Sequence, residues 1–115
     1  MSTKDLLRLD PLAKTNLKSL QIEDEVDIYQ QFVEIFLKTS DEFLGSLKTA
    51  NISIAQRVSH SWRSSSSVIG AQILANLCLQ IETCSDSKKY KELIVLVESE
   101  YKEVRAQLIQ SQKAG

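Results

Sequence analysis

Residues 59–71 read SHSWRSSSSVIGA, and this segment decides how the chain folds. Serine is a poor residue for a helix interior, so the serine run at 64–67 weakens a continuous helix here. Gly70 is typical of the residue that follows a helix end, because glycine adopts the left-handed conformation without steric cost. The segment therefore predicts a helix that ends near Ile69 and a second helix that begins at about Ala71.

Helical periodicity continues on both sides of this segment. The upstream helix can begin at Asn51 or Ser53, since both are good N-cap residues. The predicted inner line of this helix consists of Ile54, Val58, Ser61 and Ser65, with Trp62 beside it. The downstream helix has a clear apolar face, formed by Ile73, Leu74, Leu77, Cys78 and Ile81. A chain reversal at Gly70 would join the two as an antiparallel hairpin.

Three further helices are predicted outside this hairpin. A short one starts at Asp10-Pro11, with Asp as N-cap and Pro in the first turn, and extends to about Leu20. A long one runs from the acidic residues at 23–25 to about Ala50. The last begins after residues 85–87 and is followed by a polar tail at 111–115. Residues 1–9 are expected to form a flexible arm or a short extra helical turn.

The predicted fold is all-α. Three Gly and one Pro leave little room for turns, and few segments alternate as strands do. Four amphipathic helices with short links are typical of an antiparallel four-helix bundle, here with a short additional N-terminal helix. The length of 115 residues suits one domain over residues 1–115.

Composition argues against several kinds of partner. Lys and Arg number 14 and Asp and Glu 15, so the net charge of −1 provides no clustered basic face for nucleic acid or a membrane surface. No apolar run approaches the roughly 20 residues of a membrane span, so we expect a soluble cytoplasmic protein. Cys78 and Cys84 are six residues apart with no histidine near them, which favours reduced thiols over a zinc site.

His60 is the only histidine of the chain and the main candidate for chemistry. A single histidine is more often structural than reactive. However, its neighbours one helical turn away are all polar, which predicts an exposed ring; they are Gln56, Arg57, Arg63 and Ser64. No pocket motif supports base catalysis, and one histidine with two separated thiols is too little for a metal. Nucleophilic capture of a phosphoryl group fits better, because a nearby guanidinium can neutralise phosphoryl oxygens.

The hairpin predicts a partner for this ring. His60 lies ten residues before Gly70 and Glu82 lies twelve after it, so an antiparallel hairpin brings the two to a similar height. Glu82 could then accept a hydrogen bond from one ring N–H and leave the other nitrogen free to react. The alternative is a solvated carboxylate at a helix end.

The second predicted helix has two apolar residues just off its main arc. Ile28 and Ile35 are seven residues apart, so they lie on one line along the helix edge. They either widen the stripe that faces the core or form an exposed apolar strip for a partner.

These residues resemble the histidine-containing phosphotransfer (HPt) family of two-component phosphorelays. That family has a His, a Lys three residues later, a Gly or another small residue four later, and Gly-Ala or Gly-Leu ten later. Here these positions are His60, Arg63, Ser64 and Gly70-Ala71. Arg63 in place of Lys keeps the charge but has a planar fork, and Ser64 in place of Gly narrows the approach to the ring.

The resemblance implies a phosphocarrier. His60 would take a phosphoryl group from a receiver aspartyl phosphate or a hybrid histidine kinase and pass it to an Asp of a response-regulator receiver. Arg63 would neutralise phosphoryl charge, and Glu82 would orient the ring. The candidate docking residues are Gln56, Arg57, Ser64, Ser67, Ile28 and Ile35. The family has no nucleotide site or autokinase activity, is expected to be monomeric, and leaves Mg²⁺ to the receiver.

Two other functions remain open at this stage. A helical module without phosphorylation could bind a receiver or a kinase as an inhibitor or adaptor. The other open function is a metal-binding bundle, which would require stoichiometric zinc in the purified protein.

Overall fold

The computed structural model describes residues 8–19, 28–49 and 51–114. These ranges contain five α-helices and no strand, which confirms the predicted all-α fold. The helices are α1 Pro11–Ser19, α2 Ile28–Thr49, α3 Ile52–Ile69, α4 Gln72–Glu82 and α5 Ser87–Ala114. None of them is both long and apolar enough to cross a membrane.

Most predicted helix boundaries agree with the structure. The side chain of Asn51 accepts a hydrogen bond from the backbone N–H of Ile54 at 3.0 Å, so Asn51 is the N-cap of α3. The acidic start predicted at 23–25 and Leu20 lie outside the described residues. The C-terminal end differs, because α5 continues through the predicted polar tail to Ala114. No Gly or Pro precedes Gly115 in that tail, so nothing in the sequence stops the helix earlier.

The predicted N-terminal arm is only partly within the described residues. Residues 1–7 lie outside them. Arg8 and Leu9 contact the bundle: the Arg8 Nε donates to Glu100 at 3.2 Å, and Leu9 packs against the core.

The core is centred on Trp62, which is fully buried. Its indole N–H donates to the Ser40 hydroxyl on α2 at 2.9 Å, and its ring meets Tyr101 of α5 edge-on, with 5.4 Å between centroids. These contacts connect α3 to both neighbouring long helices. Aromatic pairs of this kind contribute about 0.5–1.5 kcal/mol beyond their burial.

The predicted inner line of α3 is wrong by about one residue. The buried residues are Ala55, Ser59, Trp62, Ser66 and Ile69, whereas Ile54 and Ser61 are exposed and Val58 and Ser65 are half-buried. The large Trp62 ring sets the rotation of α3, because its burial removes more apolar area from water than Ile54 could. Small residues on either side of Trp62 then allow α3 to pack closely.

The reversal between α3 and α4 lies where the sequence predicts it. Gly70 caps α3 with a φ of 89°, in the left-handed region that glycine favours. Its carbonyl accepts the backbone N–H of Asp10 at 2.8 Å, so the segment before α1 rests on the turn. A Cβ at Gly70 would lie 2.8 Å from both the Asp10 carbonyl oxygen and the Ala13 Cβ. The turn therefore requires glycine for its conformation and for its space.

Candidate functional site

His60 projects from the outer face of α3, and its side chain is 63% exposed. The hairpin brings α4 alongside, so that the ring Nδ1 lies 2.7 Å from Glu82 Oε1. The contact predicted from the spacing about Gly70 is therefore present, and the alternative of a fully solvated Glu82 is wrong.

This contact fixes which ring nitrogen carries the proton. An ionised carboxylate can only accept, so the ring must donate from Nδ1. In the neutral ring the proton on Nδ1 leaves the lone pair on Nε2. The exposed ring can therefore act as a nucleophile through Nε2.

Arg63 binds the same carboxylate. Its Nε donates to Glu82 Oε2 at 2.5 Å, and one terminal nitrogen lies 3.3 Å from His60 Nδ1. Because the Nδ1 proton is directed at Glu82, this last contact is the close approach of a cation and not a second hydrogen bond. One carboxylate thus holds both the ring and the guanidinium.

Glu82 is suited to this bridging position because it stays ionised. Its side chain is only 16% exposed, and burial pushes its pKa upward. Hydrogen bonds from Arg63 and then from His60, with the charges of both groups, outweigh burial and lower the pKa below the usual glutamate value.

The predicted docking residues fall into two groups. Arg57, Ser64 and Ser67 are exposed, and Ile35 is 61% exposed. Ile28 is half-buried, so it contributes less to an apolar strip than Ile35 does.

Gln56 differs from the other predicted docking residues. It is half-buried, and its Nε2 donates to the carbonyl of Cys84 at 2.8 Å. The amide therefore binds the chain just after α4.

Two further surface features were not predicted. Leu79 on α4 is 42% exposed, three residues before Glu82. A groove of about 350 Å³ also runs between α1 and the hairpin, lined by residues that include Leu12, Asn16, Ser67, Val68 and Gln72. No local pattern indicates this groove, because it depends on where α1 packs.

Neither cysteine has a metal-ligating partner group among the residues that the structure describes. Cys78 is buried, and burial, followed by the charge of Glu82, raises the pKa of its thiol to about 12. Within the described ranges, no three side chains of His, Cys, Asp or Glu are grouped so that they could hold a metal ion.

A helical bundle that presents one exposed histidine beside a carboxylate and a guanidinium is the arrangement of a histidine phosphotransfer protein. The Hpt domain family matches residues 31–113, so the chain belongs to this family of phosphorelay phosphotransfer domains. The crystal structure of histidine-containing phosphotransfer protein B (HptB) from Pseudomonas aeruginosa PAO1 is similar, with a TM-score of 0.82 and 27% sequence identity. The alignment covers 94% of this chain and 96% of that one. No curated protein matches the chain in a sequence comparison.

Proposed function

We propose that the protein is a phosphorelay intermediate that carries a phosphoryl group on His60. The donor is the aspartyl phosphate of a receiver domain or a hybrid histidine kinase, and the acceptor is an Asp of a response-regulator receiver. The observation that carries this proposal is the exposed His60 ring, whose Nδ1 is hydrogen-bonded to Glu82. That bond supports nucleophilic attack by Nε2.

The transfer step exchanges one bond to phosphorus for another. The Nε2 lone pair forms an N–P bond while the acyl phosphate P–O bond breaks, and the Asp carboxylate leaves with that electron pair. The phosphorylated ring keeps its Nδ1 proton and gains positive charge, which the Glu82 carboxylate at 2.7 Å stabilises. Transfer to the second receiver reverses these events.

Arg63 supplies positive charge beside the His60 ring, with one terminal nitrogen 3.3 Å from Nδ1. Glu82 binds its Nε, so its terminal nitrogens remain to donate to phosphoryl oxygens. A guanidinium can pair two such oxygens at once, whereas the lysine usual in the family acts as a point charge. Arg63 in this role neutralises charge that moves with the phosphoryl group.

The receiver docks on the exposed face around His60. Arg57, Ser64, Ser67 and Ile35 are the exposed residues among the candidate docking positions, and Mg²⁺ is supplied by the receiver. Within this proposal the protein is a cytoplasmic monomer without autokinase activity, and it binds neither nucleic acid nor membrane. The net charge of −1 supports the last two points.

The test is phosphoryl uptake from a phosphorylated receiver domain or a hybrid histidine kinase. We expect acid-labile label on the wild-type protein and on the matched variant Gln107→Ala, which changes an exposed residue of α5. His60→Gln should take up no label. Equal labelling of His60→Gln and wild type would contradict the proposal, and tight receiver binding without any label would favour the inhibitory adaptor.

A further inference from the structure

Gln56 makes a contact that the transfer chemistry does not explain. It lies one helical turn before His60 on α3, and its amide donates to the carbonyl of Cys84 at 2.8 Å. The same nitrogen is 3.5 Å from the carbonyl of Ile81. These two carbonyls stand on either side of Glu82 in the chain.

The two carbonyls lie at the end of α4: that of Ile81 is in its last turn, and that of Cys84 is two residues beyond its end. The last four carbonyls of an α-helix have no intrahelical N–H partner, so the Ile81 carbonyl needs a donor from outside the helix. Here α4 ends at Glu82, and the next residues form a turn with the Cys84 N–H donating to Ile81 at 3.2 Å. Gln56 reaches from α3 and supplies a side-chain donor to this turn.

This contact fixes the height of α4 against α3 near the site. Gln56 and His60 are four residues apart on one helix, so they share a face. Across the hairpin, the carbonyls that bind Gln56 flank the residue whose carboxylate binds His60 and Arg63. The Gly70 turn holds the hairpin at its other end, about 15 Å from His60 at 1.5 Å per residue.

We propose that Gln56 is a positioning residue, which holds the end of α4 so that the Glu82 carboxylate stays within hydrogen-bond reach of both His60 Nδ1 and Arg63 Nε. It acts through Glu82 and does not touch the phosphoryl group. Its effect on transfer rests on the proposed function, whereas its effect on the ring does not.

The first test measures the ring and needs no phosphorelay partner. Gln56→Met keeps the side-chain length and removes the donor, and Gln56→Lys restores a donor that suits a helix C-terminus. NMR of the ring nitrogens reports the fraction of neutral His60 with its proton on Nδ1. We expect this fraction to fall at least twofold in Gln56→Met, and to stay at the wild-type value in Gln56→Lys and in the control Gln107→Ala. An unchanged fraction in a folded Gln56→Met protein would overturn the proposal.

A double-mutant comparison shows whether Gln56 acts through Glu82. In a Glu82→Ala background, Gln56→Met should have no further effect on the ring tautomer, because the carboxylate that it positions is absent. An equal additional effect in that background would overturn the proposal, since Gln56 would then act on the ring by another route.

The second test measures transfer. A small misplacement of a catalytic group can reduce a rate by up to about a hundredfold, and for this outer contact we expect about tenfold in Gln56→Met. Receiver affinity should change by less than about twofold, because the docking face is kept. A weaker affinity with an unchanged rate in the bound state would contradict the proposal and make Gln56 a docking residue. If the wild type takes no label, the proposed function fails, and the NMR test still decides the role of Gln56.

Discussion

The α3–α4 hairpin has a closed end at the Gly70 turn and an open end at His60 and Glu82, and different kinds of contact stabilise the two ends. At the closed end, Gly70 is buried, its backbone adopts a left-handed conformation, and its carbonyl binds the backbone of Asp10. At the open end, polar side chains make the contacts, and the central ring of His60 is 63% exposed. The contacts at the closed end therefore depend on backbone conformation and close packing, and the contacts at the open end depend on charge.

This difference separates folding from function within one hairpin. The closed end sets the register that brings His60 and Glu82 to the same height. Contacts between partly exposed charges contribute only about 0–1 kcal/mol each, so the open end adds little to stability. Substitutions at the closed end should lower the stability of the protein, and those at the open end should change phosphotransfer.

The largest effect is expected for Gly70→Ala. An alanine in the left-handed conformation costs about 1–2 kcal/mol, and its Cβ would meet backbone atoms of Asp10 at 2.8–2.9 Å. We expect the free energy of unfolding to fall by about 3 kcal/mol in urea titration. The matched control is Gly45→Ala, where nothing lies within 4 Å of the new Cβ and the helix should gain about 0.5–1 kcal/mol. Equal effects of the two substitutions would contradict the proposed rigidity of the closed end.

Arg63→Ala should slow transfer and leave the fold intact. Loss of one group that stabilises developing charge costs about 10- to 100-fold in rate here, below the largest effects known for such groups. The free energy of unfolding should change by less than about 1 kcal/mol, since the Arg63 side chain is 34% exposed. Phosphotransfer kinetics and urea unfolding of the same samples check both statements. Arg63→Lys should keep most of the rate, whereas an unchanged rate in Arg63→Ala would show that the charge is not used.

The sequence predicts the closed end and the main contact of the open end. A glycine after a serine run is a local signal, and the hairpin follows from it. Counting ten residues back and twelve forward then places Glu82 beside His60, as the structure shows. Both predictions rest on helix geometry, which is the same in every protein.

Other features depend on partners that are distant in the chain. The rotation of α3 depends on Ser40 and Tyr101, which contact the buried Trp62 side chain. These two partners cannot be recognised from the sequence of α3 alone. The role of Gln56 depends on backbone carbonyls at the end of another helix, so no residue type indicates it. The contact between Arg8 and Glu100 could not be predicted for the same reason, because the two residues are 92 positions apart in the chain.

Glu82 tests the charge dependence of the open end through pH. Its folded-state pKa lies below the usual value of 4.5, so the stability from its hydrogen bonds is present above pH 4.5 and is lost as the pH falls through the lowered pKa. Glu82→Gln should therefore reduce the free energy of unfolding by at most about 1 kcal/mol at pH 7, and the difference should vanish in strong acid. Urea unfolding at several pH values measures it. A difference that persists in strong acid would mean that packing, and not charge, is responsible.

Glu82→Ala gives an independent check of the same contact. Removal of a carboxylate 2.7 Å from Nδ1 should lower the fraction of the neutral His60 ring that carries its proton on Nδ1, as NMR of the ring nitrogens measures. An unchanged fraction would contradict the contact across the hairpin.

The smallest effect is expected for Glu100→Gln, which removes a charge near the segment that rests on the closed end. Glu100 is buried, one carboxylate oxygen binds Arg8, and the other has no hydrogen-bond partner among the described residues. Burial raises its pKa, and Arg8 offsets this only in part. A raised folded-state pKa means that stability is highest below the usual value of 4.5 and decreases as the pH rises through the folded pKa. Glu100→Gln removes this loss, so it should raise the free energy of unfolding by about 0.5 kcal/mol at pH 7 and by nothing in strong acid. The exposed Glu92→Gln on the same helix is the control and should have no such pH dependence. A lower stability of Glu100→Gln at pH 7 would show that the ion pair with Arg8 outweighs burial, and that the closed end also depends on charge.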